Sequence, residues 1–236
     1  MAAKRPEGPP PPPVVQKLRV RYAKRDRLRF TSHRDVARVL ERAVRRSGIP
    51  IAFSAGFTPH PKISYVGAAP TGVASEAEYA EIGLSAESDP AAVMAALDAA
   101  LPPGIDIVAV APSVAGEALA DLVDASRWHM RLGSPDQAVE PALIAAAVSG
   151  LVAAEVCVVG RRTKDGVRDV DVRVALVHLV ADGTDIEAVL RHTTPAVRPE
   201  EVLLALREHG LPPAPAVATR LAQGRLAADG TLLVPL

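Results

Sequence analysis

Apolar and polar residues alternate at Leu18, Arg19, Val20, Arg21 and Tyr22, which predicts a half-buried strand with one basic face. Ser32 with Asp35 three residues later reads as a capping box. Val36, Val39, Leu40 and Ala43 then recur at helical spacing until Gly48-Ile49-Pro50 stops the run, so a helix is expected over 33–47. Two short stretches, 51–54 and 63–66, flank the loop Gly56-Phe57-Thr58-Pro59-His60-Pro61-Lys62. Alternation resumes over 77–84 as a strand, a helix follows over about 90–101, and another strand over 105–110. The order strand, helix, strand, strand, helix, strand is the split βαβ, ferredoxin-like arrangement.

The second half reads similarly but less regularly. A strand is expected over 128–132 and a helix from 141 to about 150. Two strands, 155–161 and 168–179, are joined at Lys164-Asp165-Gly166, whose Asp-Gly pair favours a tight turn. A further short strand at 186–190, a helix over 198–208 and terminal strands at 216–221 and 231–234 complete the pattern. The expected fold class is therefore α+β, two ferredoxin-like (βαββαβ) halves packed side by side, the second irregular. The proline-rich residues 1–16 are a disordered tail, 17–115 a basic domain and 116–236 an acidic one.

Charge sharpens that division. The whole chain is formally neutral, yet 15 of its 27 basic and only 4 of its 27 acidic residues fall within 1–70, a formal +11. The remaining 12 basic and 23 acidic residues give −11. Such asymmetry points to a polyanion meeting one end; the alternative is mutual attraction of the halves. Aromatics are 3% of the chain, so the core is built from Ala, Val, Leu and Ile. No apolar run is long enough to span a membrane, and the polar N-terminus has no signal-peptide h-region; the expected location is cytoplasmic. The lone Cys157 sits in an apolar run as a core residue and cannot by itself hold an iron–sulfur cluster.

The helix at 33–47 carries the clearest chemistry. Arg34, Arg38, Arg42 and Arg45 fall within roughly 80° of one another on the helical wheel, opposite Val36, Val39, Leu40 and Ala43. One face suits a sheet and the other is a row of guanidinium forks suited to phosphates. The plainer reading is a solvated face with weak surface pairs. Just upstream, Arg19, Arg21, Lys24, Arg25, Arg27 and Arg29 outnumber the local acids. In the loop, two prolines stiffen the path of His60, with Phe57 before it and Lys62 after it. Such a loop can stack a base, share a proton and hold a phosphate; alternatively Phe57 folds into the core and His60 is merely exposed. Arg161, Arg162 and Lys164 form a basic hairpin that leads into Asp169, Asp171 and Arg173 on one strand face.

An enzyme reading uses His60 or His33 as acid and base in metal-independent RNA cleavage, assisted by Tyr65 or Lys62. No spacing demands it. The six histidines show no metal-ligand spacing, and neither a P-loop nor a dinucleotide fingerprint occurs. No cofactor, metal or catalytic residue is expected in this chain.

Leu28-Arg29-Phe30-Thr31-Ser32-His33-Arg34-Asp35, Arg45-Arg46-Ser47-Gly48-Ile49-Pro50, residues 54–64 and Ser75-Glu76-Ala77-Glu78-Tyr79 together resemble the bacterial radical SAM-linked protein family of uncharacterised function. The resemblance is dense over about 17–110 and looser beyond. It implies a stand-alone form, since the chain lacks the Cys-x-x-x-Cys-x-x-Cys motif, with any radical chemistry in a separately encoded partner. The function expected is an RNA-binding accessory module that presents tRNA or rRNA to such a partner. Arg34, Arg38, Arg42 and Arg45 grip phosphates, Phe57, His60 and Lys62 meet an unpaired base, and Arg161, Arg162 and Lys164 extend the surface. The alternatives are the endoribonuclease above and a protein-interaction adaptor that binds no nucleic acid.

Overall fold

The structure, a computed structural model, describes residues 11–236. The part of the expected tail at 1–10 lies outside the described residues. By Val15 the chain is already tied down, because its N–H donates to the Leu84 carbonyl at 2.9 Å. The protein is α+β, and it divides into two compact units between Asp121 and Leu122. Among the described residues no helix is long and apolar enough to cross a membrane.

The first unit runs β1 (Gln16–Lys24), α1 (His33–Arg46), β2 (Ile63–Val66), β3 (Ala74–Leu84), α2 (Pro90–Ala99) and β4 (Ile105–Pro112). Within it the strand order is β4-β1-β3-β2, every neighbouring pair antiparallel. Each helix therefore joins two strands that have a third between them. Leu18, Val20 and Tyr22 of β1 face the helices and pack with Val36, Leu40 and Val44 of α1 and Val93 and Leu97 of α2. Truncating Leu40, which is buried in this cluster, should cost about 2–5 kcal/mol by lost burial and the cavity left behind; urea denaturation of Leu40→Ala measures it. The stretch 51–54 contributes only isolated bridges, Ile51 to Leu84 and Phe53 to Pro61.

The basic face expected on β1 is largely neutralised. Arg19 is buried and paired to Glu117, Nη1 to Oε2 at 2.9 Å, while its Nη2 donates to the Glu117 carbonyl at 3.0 Å. Arg25 forks onto the Glu76 carboxylate and reaches Asp106 at 2.8 Å. Its hydrogen bond to Glu76 holds the guanidinium firmly charged against the opposing effect of burial. Lys24 is buried, with Nζ directed to the Pro70 carbonyl at 3.3 Å. The local sequence lacks acids to match these cations; Glu117 pairs with Arg19, and Glu76 and Asp106 pair with Arg25, all from distant segments.

The second unit comprises β5 (Ala125–Leu132), α3 (Pro141–Ala153), β6 (Val158–Thr163), β7 (Gly166–Asp171), β8 (Leu176–Asp182), β9 (Asp185–Arg191), α4 (Pro199–Glu208), β10 (Ala216–Leu226) and β11 (Leu232–Leu233). Its main sheet has the order β10-β5-β9-β8, antiparallel throughout, with β11 on β10. Met130, Ile186, Leu190, Ile144, Leu151 and Leu206 are its fully buried large side chains. Two sequence expectations need correction. The single strand over 168–179 is broken, because Asp171 Oδ1 accepts the backbone N–H groups of Cys157 and Arg173 and fixes a turn there. Arg173 is thus off the strand face that Asp169 and Asp171 were expected to share with it. The hairpin β6–β7 forms a two-stranded sheet of its own, while the short strand expected at 186–190 is present as β9, an inner strand between β5 and β8.

In this unit the Ser126 hydroxyl and His192 Nε2 lie 2.7 Å apart. Burial first, and then the charge of Arg220, push the His192 imidazole below its ordinary range. The folded state therefore keeps the ring neutral where the unfolded chain, at about pH 6.5, takes up a proton. The stabilisation is complete above that pH and is lost as pH falls below it. The urea midpoint should accordingly drop between about pH 7.5 and 5.5, and His192→Gln should flatten that part of the profile.

Candidate nucleic-acid interface

The start of α1 is set by Ser32, whose Oγ accepts the Asp35 N–H at 3.3 Å and donates to Asp35 Oδ2 at 2.7 Å. That bond, with Arg38 behind it, holds the Asp35 carboxyl below the usual carboxylate range. Arg45 and Arg46 stand in the last turn, where positive charge complements the helix dipole. With Val36, Leu40, Ala43 and Val44 buried, the opposite face carries Arg34, Arg38, Arg42 and Arg45, all exposed. Arg38 pairs with Asp35 at 3.1 Å between two exposed side chains, a weak surface interaction. Arg34 and Arg42 make no ion pair among the described residues.

Arg45 links this face to the loop. Its guanidinium donates to the Pro59 carbonyl at 3.3 Å and lies over the Phe53 ring at 5.0 Å. The neck of the loop is closed by Ser54 and His60: the Ser54 N–H donates to the His60 carbonyl, and the His60 N–H to Ser54 Oγ. Lys62 is fixed through its backbone, donating to Ala52 and accepting from Gly83, which leaves its ammonium in solvent. Phe57 is 68% exposed, whereas Phe53 is the phenylalanine that packs against the core. The structure thus brings Arg45 together with the loop bearing Phe57, His60 and Lys62, and it displays those side chains outward.

His33 and His60 are both exposed, and no hydrogen bond or ring contact joins them among the described residues. His33 meets Tyr65 edge-on, ring centroids 5.3 Å apart. Burial, and secondarily the Glu41 charge, push the Tyr65 phenol above its ordinary range, and its hydroxyl points at the Ala37 carbonyl at 3.4 Å. A phenol held neutral against a backbone acceptor is a poor proton relay.

The basic hairpin divides. Arg161 is committed to Glu201, Nε and Nη2 at 2.8 and 2.7 Å, and to the Ala196 carbonyl at 2.6 Å. It ties β6 to the start of α4 and is not a free cation. Arg162 and Lys164 remain exposed in the second unit.

Sequence reasoning passed over Phe30, which is 60% exposed at the end of the 3-10 turn Asp26–Phe30. The Arg29 guanidinium lies over its ring at 4.7 Å. The available signal was an aromatic residue that fits neither the strand nor the helix period around it. Also unforeseen is a cavity of about 850 Å³ lined by Val14, Lys17, Tyr65, Glu81 and residues 113–120. Burial works to raise the Glu81 carboxyl, but hydrogen bonds from Lys17 and Ser113 outweigh it and hold the group below the usual range. The Ser126–His192 pair resembles a nucleophile and base, but Ser126 is a buried residue, 1% exposed.

The profile of a bacterial family described as "Uncharacterized protein conserved in bacteria (DUF2344)" matches residues 17–199. The chain belongs to that family. The matched segment holds α1, the 54–60 loop and the β6–β7 hairpin, so every candidate residue named above lies within the region the family covers. A search of curated proteins found no match. Among solved structures, the family member is similar to an unknown protein from Galdieria sulphuraria, at 15% identity over 87% of this chain and 98% of that one, with a TM-score of 0.26. At that score the likeness carries no argument.

Proposed function

We propose that the protein is an RNA-binding accessory module, one that presents structured RNA such as tRNA or rRNA to a separately encoded partner, for instance a radical SAM RNA-modifying enzyme. The observation that carries this reading is the exposed row Arg34, Arg38, Arg42 and Arg45, joined through Arg45 to a pinned loop that presents Phe57, His60 and Lys62. Arginine forks aligned on a rigid helix suit successive phosphates, and a bare aromatic beside them suits an unpaired base. The radical SAM partner rests on the sequence resemblance alone. The split βαβ reading of each unit is supported by the strand orders β4-β1-β3-β2 and β10-β5-β9-β8, with β6–β7 as an insertion in the second.

The test is fluorescence anisotropy of the purified protein with labelled tRNA, single-stranded RNA and duplex DNA across a salt series. Phosphate contacts predict a fall of log affinity with log salt of about 0.7–0.9 per contact, with RNA preferred. Absence of binding at low salt would remove nucleic acid and leave the protein-adaptor reading in its place. Discrete RNA products in EDTA that vanish in His60→Ala would instead make the protein a nuclease.

A further inference from the structure

We infer that Phe30 is a second base-stacking platform of the same interface, so that the segment gripped along α1 is unpaired RNA rather than a duplex; this rests on the RNA-binding reading above. The chain has three phenylalanines. Phe53 packs against the core, while Phe30 and Phe57 are left 60% and 68% exposed. They stand at opposite ends of α1. Phe30 lies two residues before the Ser32 cap, and the Phe57 loop is held by Arg45 in the last turn. Fourteen helical residues between them span about 21 Å.

Arg34, Arg38 and Arg42 fill that interval at four-residue steps, each a rise of about 6 Å. An exposed aromatic thus stands near each end of the helix with the exposed arginines between, the combination that single-strand binders use to stack bases and follow a backbone. Arg29 over the Phe30 ring adds a guanidinium plane where the backbone would enter. In an A-form duplex the bases are stacked on one another and out of reach of such rings, whereas unpaired bases are open to them.

The experiment compares wild type with Phe30→Ala, Phe57→Ala and Phe30→Trp on a labelled oligouridylate of about 12 nucleotides, within single-strand site sizes, and on a blunt RNA duplex. Phe30→Ala should weaken oligouridylate binding about tenfold, leave the salt slope unchanged because no phosphate contact is lost, and leave duplex binding unchanged. Phe30→Trp should retain wild-type affinity, since a larger ring stacks as well. Both variants should keep the wild-type melting temperature. If Phe30→Ala binds the oligouridylate like wild type while charge reversal of the arginine row abolishes binding, the RNA reading stands and the stacking role of Phe30 falls. An apolar protein contact at Phe30 would give that result. If neither change affects binding, both readings fall.

Discussion

Changing Arg34, Arg38, Arg42 and Arg45 together to Glu should abolish RNA binding at physiological salt while the protein stays folded. The four side chains are exposed and lie opposite the buried Val36, Leu40, Ala43 and Val44, so their reversal spares the buried face of α1 and disturbs only the contacts of Arg45 with Phe53 and Pro59. Four lost phosphate contacts to a single strand remove about three units from the slope of log affinity against log salt. The introduced carboxylates then repel the backbone, so the affinity loss should exceed about a hundredfold. A milder series locates the effect. Arg34→Ala, Arg38→Ala and Arg42→Ala should each reduce the slope by about 0.7. Arg45→Ala should do more, because it also frees the Pro59 carbonyl and uncovers the Phe53 ring, loosening the loop that holds Phe57 and Lys62. Unchanged affinity in the quadruple variant would mean that the row is only a solvated face.

The second large effect concerns stability, and it separates a structural arginine from exposed ones beside it. Arg161→Ala should destabilise the protein by about 3–5 kcal/mol, because it leaves a buried carboxylate without its cation. Glu201 is 2% exposed as a side chain and Arg161 13%. Glu201 accepts two bonds from the Arg161 guanidinium and a third from the Arg198 N–H at 2.8 Å. Glu201's hydrogen bond, against the effect of burial, keeps the Arg161 guanidinium charged. By contrast Arg162→Ala, at an exposed position, should stay within about 0.5 kcal/mol. Urea or thermal unfolding measures both. A fully stable Arg161→Ala variant with impaired RNA binding would return Arg161 to the binding surface from which its bonds to Glu201 and Ala196 now remove it.

How much of this was legible in the sequence follows from the range of each interaction. The helix at 33–47, its Ser32 start and its arginine face were readable because the i, i+3 and i+4 spacing is local. The structure ends the helix at Arg46, with Ser47 as the cap. The alternation of β1 and β3 was readable for the same reason. The 168–179 strand was misread because an alternating pattern does not show that Asp171 will turn its carboxylate onto the backbone of Cys157 and Arg173. Phe57 was left open between core and solvent, since a seven-residue loop has no period to decide the matter; the Phe53–Pro61 bridge decides it by turning Phe53 inward.

By itself the sequence determined the helices, most of the strands and the sidedness of α1, which depend on residues a few positions apart, and the charge asymmetry, which is composition alone. The tertiary structure alone decided which cations stay available. Arg19 meets Glu117, Arg25 meets Glu76 and Asp106, and Arg161 meets Glu201, all across strand order and register that no local window contains. A count of charges gives a formal +11 for residues 1–70 but not which of them are already paired. The arginines of α1 remain exposed because they project from the side of the helix opposite its packed face, where among the described residues only Asp35 of the same helix forms an ion pair with one of them.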